Sequence, residues 1–193
     1  MTPQPLHNGR LILTPQSPYW ALEDTSPLIE RLQDIGLIDQ PRVNRPNHYL
    51  LGDNFMQWIS FMGCSPFIRM EPGQDNEPFC QLIVDVPTPR PKLLTGRNTT
   101  PPRCANCRKR LTDWRNTFAS WERESTGWLA KCPHCGQTQD PATYDFRQTA
   151  GCGRLFLFID NIFPQEAIPT AGLLDHLQAV SENQPWHYFF QQD

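Results

Sequence analysis

Apolar positions recur at helical spacing in three stretches outside the cysteine-rich centre of the chain. Leu28, Ile29, Leu32 and Ile35 follow Thr25-Ser26-Pro27 and stop at Gly36. Proline suits a first helical turn and glycine suits the residue just past a helix, so a helix is expected over this stretch. Phe55, Met56, Trp58, Ile59 and Met62 follow Asp53, a good N-cap, and end at Gly63. That segment is apolar nearly all round, which predicts a buried helix. Leu173, Leu174, Leu177 and Val180 define a third helix over 170–180. Strand patterns fall elsewhere. Residues 67–70 and 79–86 read as a hairpin around the turn-rich Glu71-Pro-Gly-Gln-Asp-Asn-Glu-Pro78. Arg154-Leu-Phe-Leu-Phe-Ile-Asp160 reads as a strong strand, and 186–190 as a last short one. Residues 38–52 show no period and are expected to be irregular.

Proline sets the organisation. Thr-Pro-Gln-Pro and Thr-Pro-Gln-Ser-Pro near the start predict an extended arm over residues 1–24 that wraps the body. Pro87, Pro89, Pro91, Pro101 and Pro102 form a stiff spacer poorly suited to a strand. The expected fold class is α+β: a small, mostly antiparallel sheet with packing helices, made from residues 25–97 and 141–193. A module over residues 98–140 is inserted into it.

Composition narrows the class. The chain has 193 residues, 38% of them hydrophobic, with 11 Phe, 6 Trp and 4 Tyr as large burial units. That suffices for one core and a small module. Its 20 prolines are about twice the ordinary share. The longest apolar runs, such as Leu155–Ile159, are too short to cross a bilayer, so no membrane association is expected. Met1–His7 has neither a basic head nor an apolar stretch, so a cytoplasmic, reducing setting is expected. There, cysteine pairs bind metal or do redox work. The net charge of −3 is unevenly spread: residues 97–140 carry eight basic and four acidic residues, while the rest carries a net −7. A basic insert in an acidic body suits an acidic partner or simply a solvated surface.

Within that insert stand Cys104-Ala-Asn-Cys107 and Cys132-Pro-His-Cys135, with 24 residues between the pairs. Cys-x-x-Cys aims two sulfurs from one tight turn at one ion, and two such turns supply a closed four-sulfur site. A module this small lacks burial enough to hold itself together, and a metal replaces the missing core. The expected cofactor is one structural zinc ion held by Cys104, Cys107, Cys132 and Cys135. The alternative, a Cys-x-x-Cys redox enzyme, is weaker, because that motif usually occurs once and opens a helix in a βαβ setting. His134 sits between two better ligands. Leu111, Trp114, Phe118 and Trp121 lie at helical spacing behind Thr112, a candidate N-cap, and a strand is expected near 128–131.

"CANC" and "CPHCG" resemble the two knuckles of zinc-ribbon proteins. The stretches "LFLFIDNIFPQEAIP" and "WHYFF" are similar to small uncharacterised bacterial zinc-ribbon proteins. The resemblance implies a four-cysteine zinc ribbon and carries no activity with it.

The functional expectation is a non-enzymatic zinc-binding protein that presents its ribbon to a macromolecule, preferably another protein. Arg108, Lys109, Arg110 and Arg115, beside Trp114 and Trp121, form the expected contact surface. A nucleic-acid-binding ribbon is the alternative, using arginine and tryptophan for phosphate and stacking contacts. A third reading is an enzyme with a pocket at the end of the 154–160 strand, near Asp160, Asn161 and Glu166. No phosphate-loop, dinucleotide, serine-hydrolase or zinc-protease motif is present to support it. Cys64 and Cys80 are isolated, Gly151-Cys152-Gly153 reads as a flexible, exposed thiol, and His48 and the Asp175-His176 pair read as ordinary surface chemistry.

Overall fold

The computed structural model describes residues 9–62, 68–72, 78–124, 127–162 and 166–192. Its main sheet has six strands: β1 (Gly9–Pro15), β2 (Ile38–Pro41), β3 (His48–Leu51), β5 (Gln81–Val84), β10 (Leu157–Ile162) and β12 (Trp186–Gln192). They lie side by side in the order β12-β1-β10-β5-β3-β2, and every neighbouring pair is antiparallel. Helices α1 (Ser26–Asp34) and α4 (Ala171–Val180) cover one face. Leu11, Leu13, Leu82, Leu157 and Ile159 point from that face into one core with Leu28, Leu32, Leu173 and Leu177. The fold is therefore α+β, as the alternation of patterns predicts.

The stop signal of α1 is realised as hydrogen bonds, and α4 shows a cap of its own. Gly36 takes a left-handed φ of 68°, and the N–H groups of Gly36 and Leu37 donate to the carbonyls of Gln33 and Leu32 at 2.8 and 3.0 Å. This pairing closes a helix through a glycine. At α4 the Thr170 hydroxyl accepts from the Leu173 N–H, an N-cap.

Residues 9–15 are not part of a wrapping arm. They form β1, between β12 and β10 in the interior of the sheet. A strand covered on both faces needs no alternation, so Leu11-Ile12-Leu13 serves both faces at once. Its one proline offers no objection, because Pro15 stands at the strand end. Residues 38–52 are likewise not irregular: they hold β2 and β3. The expected helix after Asp53 is one turn, α2 (Phe55–Trp58), which gives way to β4 (Ile59–Phe61) paired with β11 (Ala167–Pro169). Gly63 lies outside the described residues. The expected hairpin partner of β5 is also absent: Ile68–Met70 are not strand, and β5 pairs with β10 and β3. Phe67 and residues 73–77 of the turn lie outside the described residues.

The proline spacer contains a strand after all. β6 (Lys92–Thr95) pairs with β9 (Ala150–Gly153), and Leu94 packs on Ile12, Phe156 and Phe189 at the sheet face opposite the helices. Between β6 and β9 the chain carries α3 (Trp114–Arg123) and a two-residue hairpin, β7 (Ala130–Lys131) with β8 (Thr138–Gln139). The helix starts after Asp113 rather than Thr112. Its Trp114 and Phe118 pack against Phe146, Ala142, Ala150 and Cys152 in a second, smaller core. Three edge-to-face ring contacts, Trp114 with Phe118 and Phe146 and Phe118 with Tyr144, fix its geometry.

Candidate metal centre

Each Cys-x-x-Cys pair is folded by the same hydrogen bonds. In the first turn the Arg108 N–H donates to the Cys104 carbonyl and the Cys104 N–H donates to the Lys109 carbonyl, both at 3.0 Å. In the second, Gly136 donates to Cys132 at 3.0 Å and Cys132 to Gln137 at 2.8 Å. The fifth residue of each turn is left-handed: Arg108 at φ 59° and Gly136 at φ 75°. Two turns of one design thus face each other. The β7–β8 hairpin carries the second, and an antiparallel bridge between Arg103 and Arg110 closes the first.

The four sulfurs all lie within 4.8 Å of one another. Across the two turns, Cys104 and Cys135 Sγ are 3.8 Å apart and Cys107 and Cys132 Sγ 3.9 Å. No disulfide joins them. A tetrahedron with metal–sulfur bonds of ~2.3 Å has sulfur–sulfur edges of about 3.8 Å. The four cysteines therefore stand at metal-binding distance, in an arrangement compatible with a zinc-ribbon-like site.

Polar groups around the sulfurs favour the charged form a metal requires. The Gln137 backbone N–H, joined by the Asn106 side chain, brings the Cys135 thiol down to about 6. The Cys107 N–H, with that of Asn106, holds Cys104 below the ordinary thiol range. At Cys107 the Lys109 N–H favours the thiolate, but desolvation and the three neighbouring sulfurs outweigh it and push the thiol up to about 11. Sulfurs packed this closely cannot all ionise freely until a cation neutralises them. Cys104 and Cys132 are buried with Leu111 and lie against Tyr144, whereas Cys135 is exposed.

Two supporting residues are invisible to motif reading. The Asn106 amide donates toward Cys135 Sγ at 3.7 Å, and His134 Nε2 lies 3.1 Å from the Arg110 carbonyl, tying the second turn to the first. Asn106 occupies a variable position inside its motif, and His134 looks like a spare ligand, so neither spacing nor composition marks these roles.

Arg108, Lys109, Arg110 and Arg115 are exposed. Trp114 is not: it is 3% exposed, and the Arg115 guanidinium lies over its ring at 4.4 Å from the centroid. Trp121 is half-buried against Phe118. Trp114 therefore belongs to the packing of the module and is removed from the expected contact surface. Helical spacing announces a buried stripe and does not say which partner buries it. Cys152 also departs from expectation. It is 7% exposed, its thiol is pushed up by burial, and its flanking glycines are buried in β9. Cys80 is fully buried, and burial pushes its thiol up to about 12. Cys64 lies outside the described residues.

Asp160 forms an ion pair with Arg10 of the adjacent strand at 2.7 Å, and the Asn161 amide donates to the Phe79 carbonyl. His48 Nδ1 lies 3.0 Å from the Pro46 carbonyl. Cavities of ≈ 550 and ≈ 360 Å³ lie elsewhere, and neither is lined by Asp160, Asn161 or Glu166. Comparison of the chain with protein-family models, curated proteins and solved structures returns no match.

Proposed function

We propose that Cys104, Cys107, Cys132 and Cys135 bind one structural zinc ion, and that the ribbon so fixed presents Arg108, Lys109 and Arg110 to an acidic surface of another protein. The observation that carries the metal reading is the pair of sulfur edges, 3.8 and 3.9 Å, across two turns of one hydrogen-bonded design. Four thiolates suit a soft, tetrahedral ion, and four protein ligands fill its coordination, leaving no position for water or substrate. The ion's contribution is then shape: it replaces a core that Leu111 and Tyr144 alone are too few to form. Elemental analysis tests this. Cys104→Ser is expected to lose zinc, and Cys152→Ser to retain about one zinc per chain, as unmodified protein would. Zinc retained in the first and lost in the second overturns the assignment.

The partner reading is supported by placement. The three basic residues follow directly on the first metal turn, so the metal sets the direction in which they emerge. A rigid surface loses less entropy on binding. A nucleic-acid ribbon would need aromatic platforms beside those charges, and Trp114 is buried while Trp121 packs on the module's own core. The double variant Arg108→Glu with Arg110→Glu is expected to keep its zinc and its melting temperature and to lose partner capture. Unchanged capture by a folded, zinc-loaded variant removes the ribbon surface from consideration.

A further inference from the structure

The outer edge of β12 is covered over only part of its length. In its pairing with β1, Leu11 faces Phe190 and Leu13 faces Tyr188. The Phe190 N–H donates outward, away from β1, to the Gln148 carbonyl at 2.9 Å. By the alternation of an antiparallel ladder, the main-chain groups of Trp186, Tyr188 and Gln192 face outward as well. At the C-terminal end of the strand this edge is covered from within the chain. The Asn98 amide donates to the Phe190 carbonyl at 2.8 Å and accepts from the Gln192 N–H at 3.0 Å, imitating one peptide unit of a neighbouring strand. The Arg97 N–H adds a bond to the Gln192 carbonyl.

The cover stops at Phe190. Among the described residues, the outward N–H and C=O of Tyr188 and Trp186 have no hydrogen-bond partner, and the ≈ 550 Å³ cavity opens beside them. Its lining includes Leu174 from the helical side of the sheet and Gly151 from the opposite side, so the cavity lies off the sheet's edge rather than on either face. Its far wall is the segment 142–148. That wall is diverted at Arg147 and Gln148, two consecutive left-handed residues inside a turn closed by the Thr149 N–H on the Phe146 carbonyl. Such a turn normally takes glycine or asparagine at both positions. Strain of this kind persists where surrounding structure imposes it, and it gathers at binding sites. The Arg103 N–H, donating to the Asp145 carbonyl at 3.0 Å, braces the same wall against the first metal turn.

We propose that this slot binds an extended peptide of a partner protein, which adds as a short strand to β12 at Trp186–Tyr188. The chemistry identifies the occupant. Donor and acceptor presented alternately at strand spacing are matched by a peptide backbone, and the adjoining stretch is already filled by groups that imitate one. Leu174 and Trp186 offer an apolar floor on the helical side, so the peptide carries an apolar side chain facing them. The wall at 142–148 stands where a second copy's whole sheet would have to approach, so the slot admits a single strand. The cavity falls within the range of about 300–1,000 Å³ typical of ligand sites. This site is separate from the basic ribbon surface and does not depend on it.

The 193-residue chain, as purified, is panned against a displayed random decapeptide library, and an enriched peptide is synthesised. Its affinity is measured by fluorescence anisotropy for unmodified protein, Tyr188→Ala and Tyr188→Pro. Proline removes only an outward N–H at this position, so the bonds to β1 are kept. Tyr188→Pro is expected to weaken binding about tenfold or more relative to Tyr188→Ala, which retains the donor. N-methylation of the peptide is expected to abolish binding at one alternate set of amides and to be tolerated at the other. The Tyr188 N–H is expected to gain protection from hydrogen exchange. Should Tyr188→Pro unfold, the N-methyl series and the exchange measurement decide. Failure to enrich any peptide, equal sensitivity of both amide sets, or an unprotected Tyr188 N–H each overturns the proposal.

Discussion

Arg108 and Gly136 occupy the same place in the two cysteine turns, with left-handed φ of 59° and 75°. Glycine adopts this conformation freely, and a side chain costs ~1–2 kcal/mol there. A Cβ at Gly136 would meet only the Lys131 side chain, at 3.6 Å, so space is not limiting and the backbone alone sets the cost. Substitutions at the two sites should therefore have opposite signs. Gly136→Ala is expected to destabilise the metal-loaded ribbon by about 1–2 kcal/mol. Arg108→Gly is expected to be neutral or stabilising by under ~1 kcal/mol, since relief of strain is partly offset by glycine's greater entropy loss. Thermal melts and competition with a chromophoric chelator measure both; a shared direction would mean that the turns are not equivalent. Gly136 was readable as a turn residue because glycine advertises left-handed backbone. Arg108 was readable only as charge, because nothing about arginine announces a left-handed φ.

At the scale of elements, β9 shows how composition can mislead. Gly151-Cys152-Gly153 looks like a flexible loop, yet its glycines serve close approach. A Cβ on Gly151 would collide with the Phe189 ring, and one on Gly153 would come within 2.5 Å of Thr14 Oγ1. The glycines let the β6–β9 ribbon lie against the sheet, and Cys152 fills the space toward Trp114 and Phe118. Gly151→Ala is expected to cost ~1–3 kcal/mol through overpacking. Denaturant titration beside Cys152→Ala tests this, and an unaltered midpoint for Gly151→Ala would show that Phe189 gives way freely. The same contrast separates the elements that sequence patterns located from those they did not. Helices α1 and α4 carry their signals within a few residues: an apolar period in both, and Gly36 at the end of α1. Strand β1 is specified by partners far along the chain, pairing Leu13 with Leu157 and Tyr188. Strand β6, hidden among prolines, meets its partner only at β9. The length of α2 is limited because Ile59 is extended, at φ −117° and ψ 115°, to join β4 and pair with Pro169. None of these pairings has a local signature. The four cysteines that stand at metal-binding distance, by contrast, are legible in the sequence, because such a cluster is written as spacing.

Across the whole molecule, burial is divided among clusters of unequal size. The main core joins β1, β5 and β10 to α1 and α4. The rings of α3 form a second cluster with Phe146, Ala150 and Cys152, and the cysteine turns form a third with Leu111 and Tyr144. The third is smaller than the other two and contains the candidate ligands themselves, so metal removal should act there first. The second shares Tyr144 with the third and reaches β9, so it should loosen in part. Two hydrogen bonds carry the disturbance outward: Tyr19 Oη to Asp140 at 2.6 Å, and the Arg103 N–H to the Asp145 carbonyl at 3.0 Å. The main core draws no residue from 98–140 and should remain intact. Hydrogen exchange before and after chelation is expected to show three tiers. Amides of 104–111 and 130–139 lose protection fully, those of α3 and 142–152 lose it partly, and those of β1, β5, β10, α1 and α4 keep it. The same measurement tests the proposed division into a 98–140 module and a surrounding body. A tiered response whose intermediate zone runs from α3 to β9 would place the functional boundary inside 141–153 rather than at 140. Loss of every protected amide together would mean that the metal site and the main core fold as one cooperative unit.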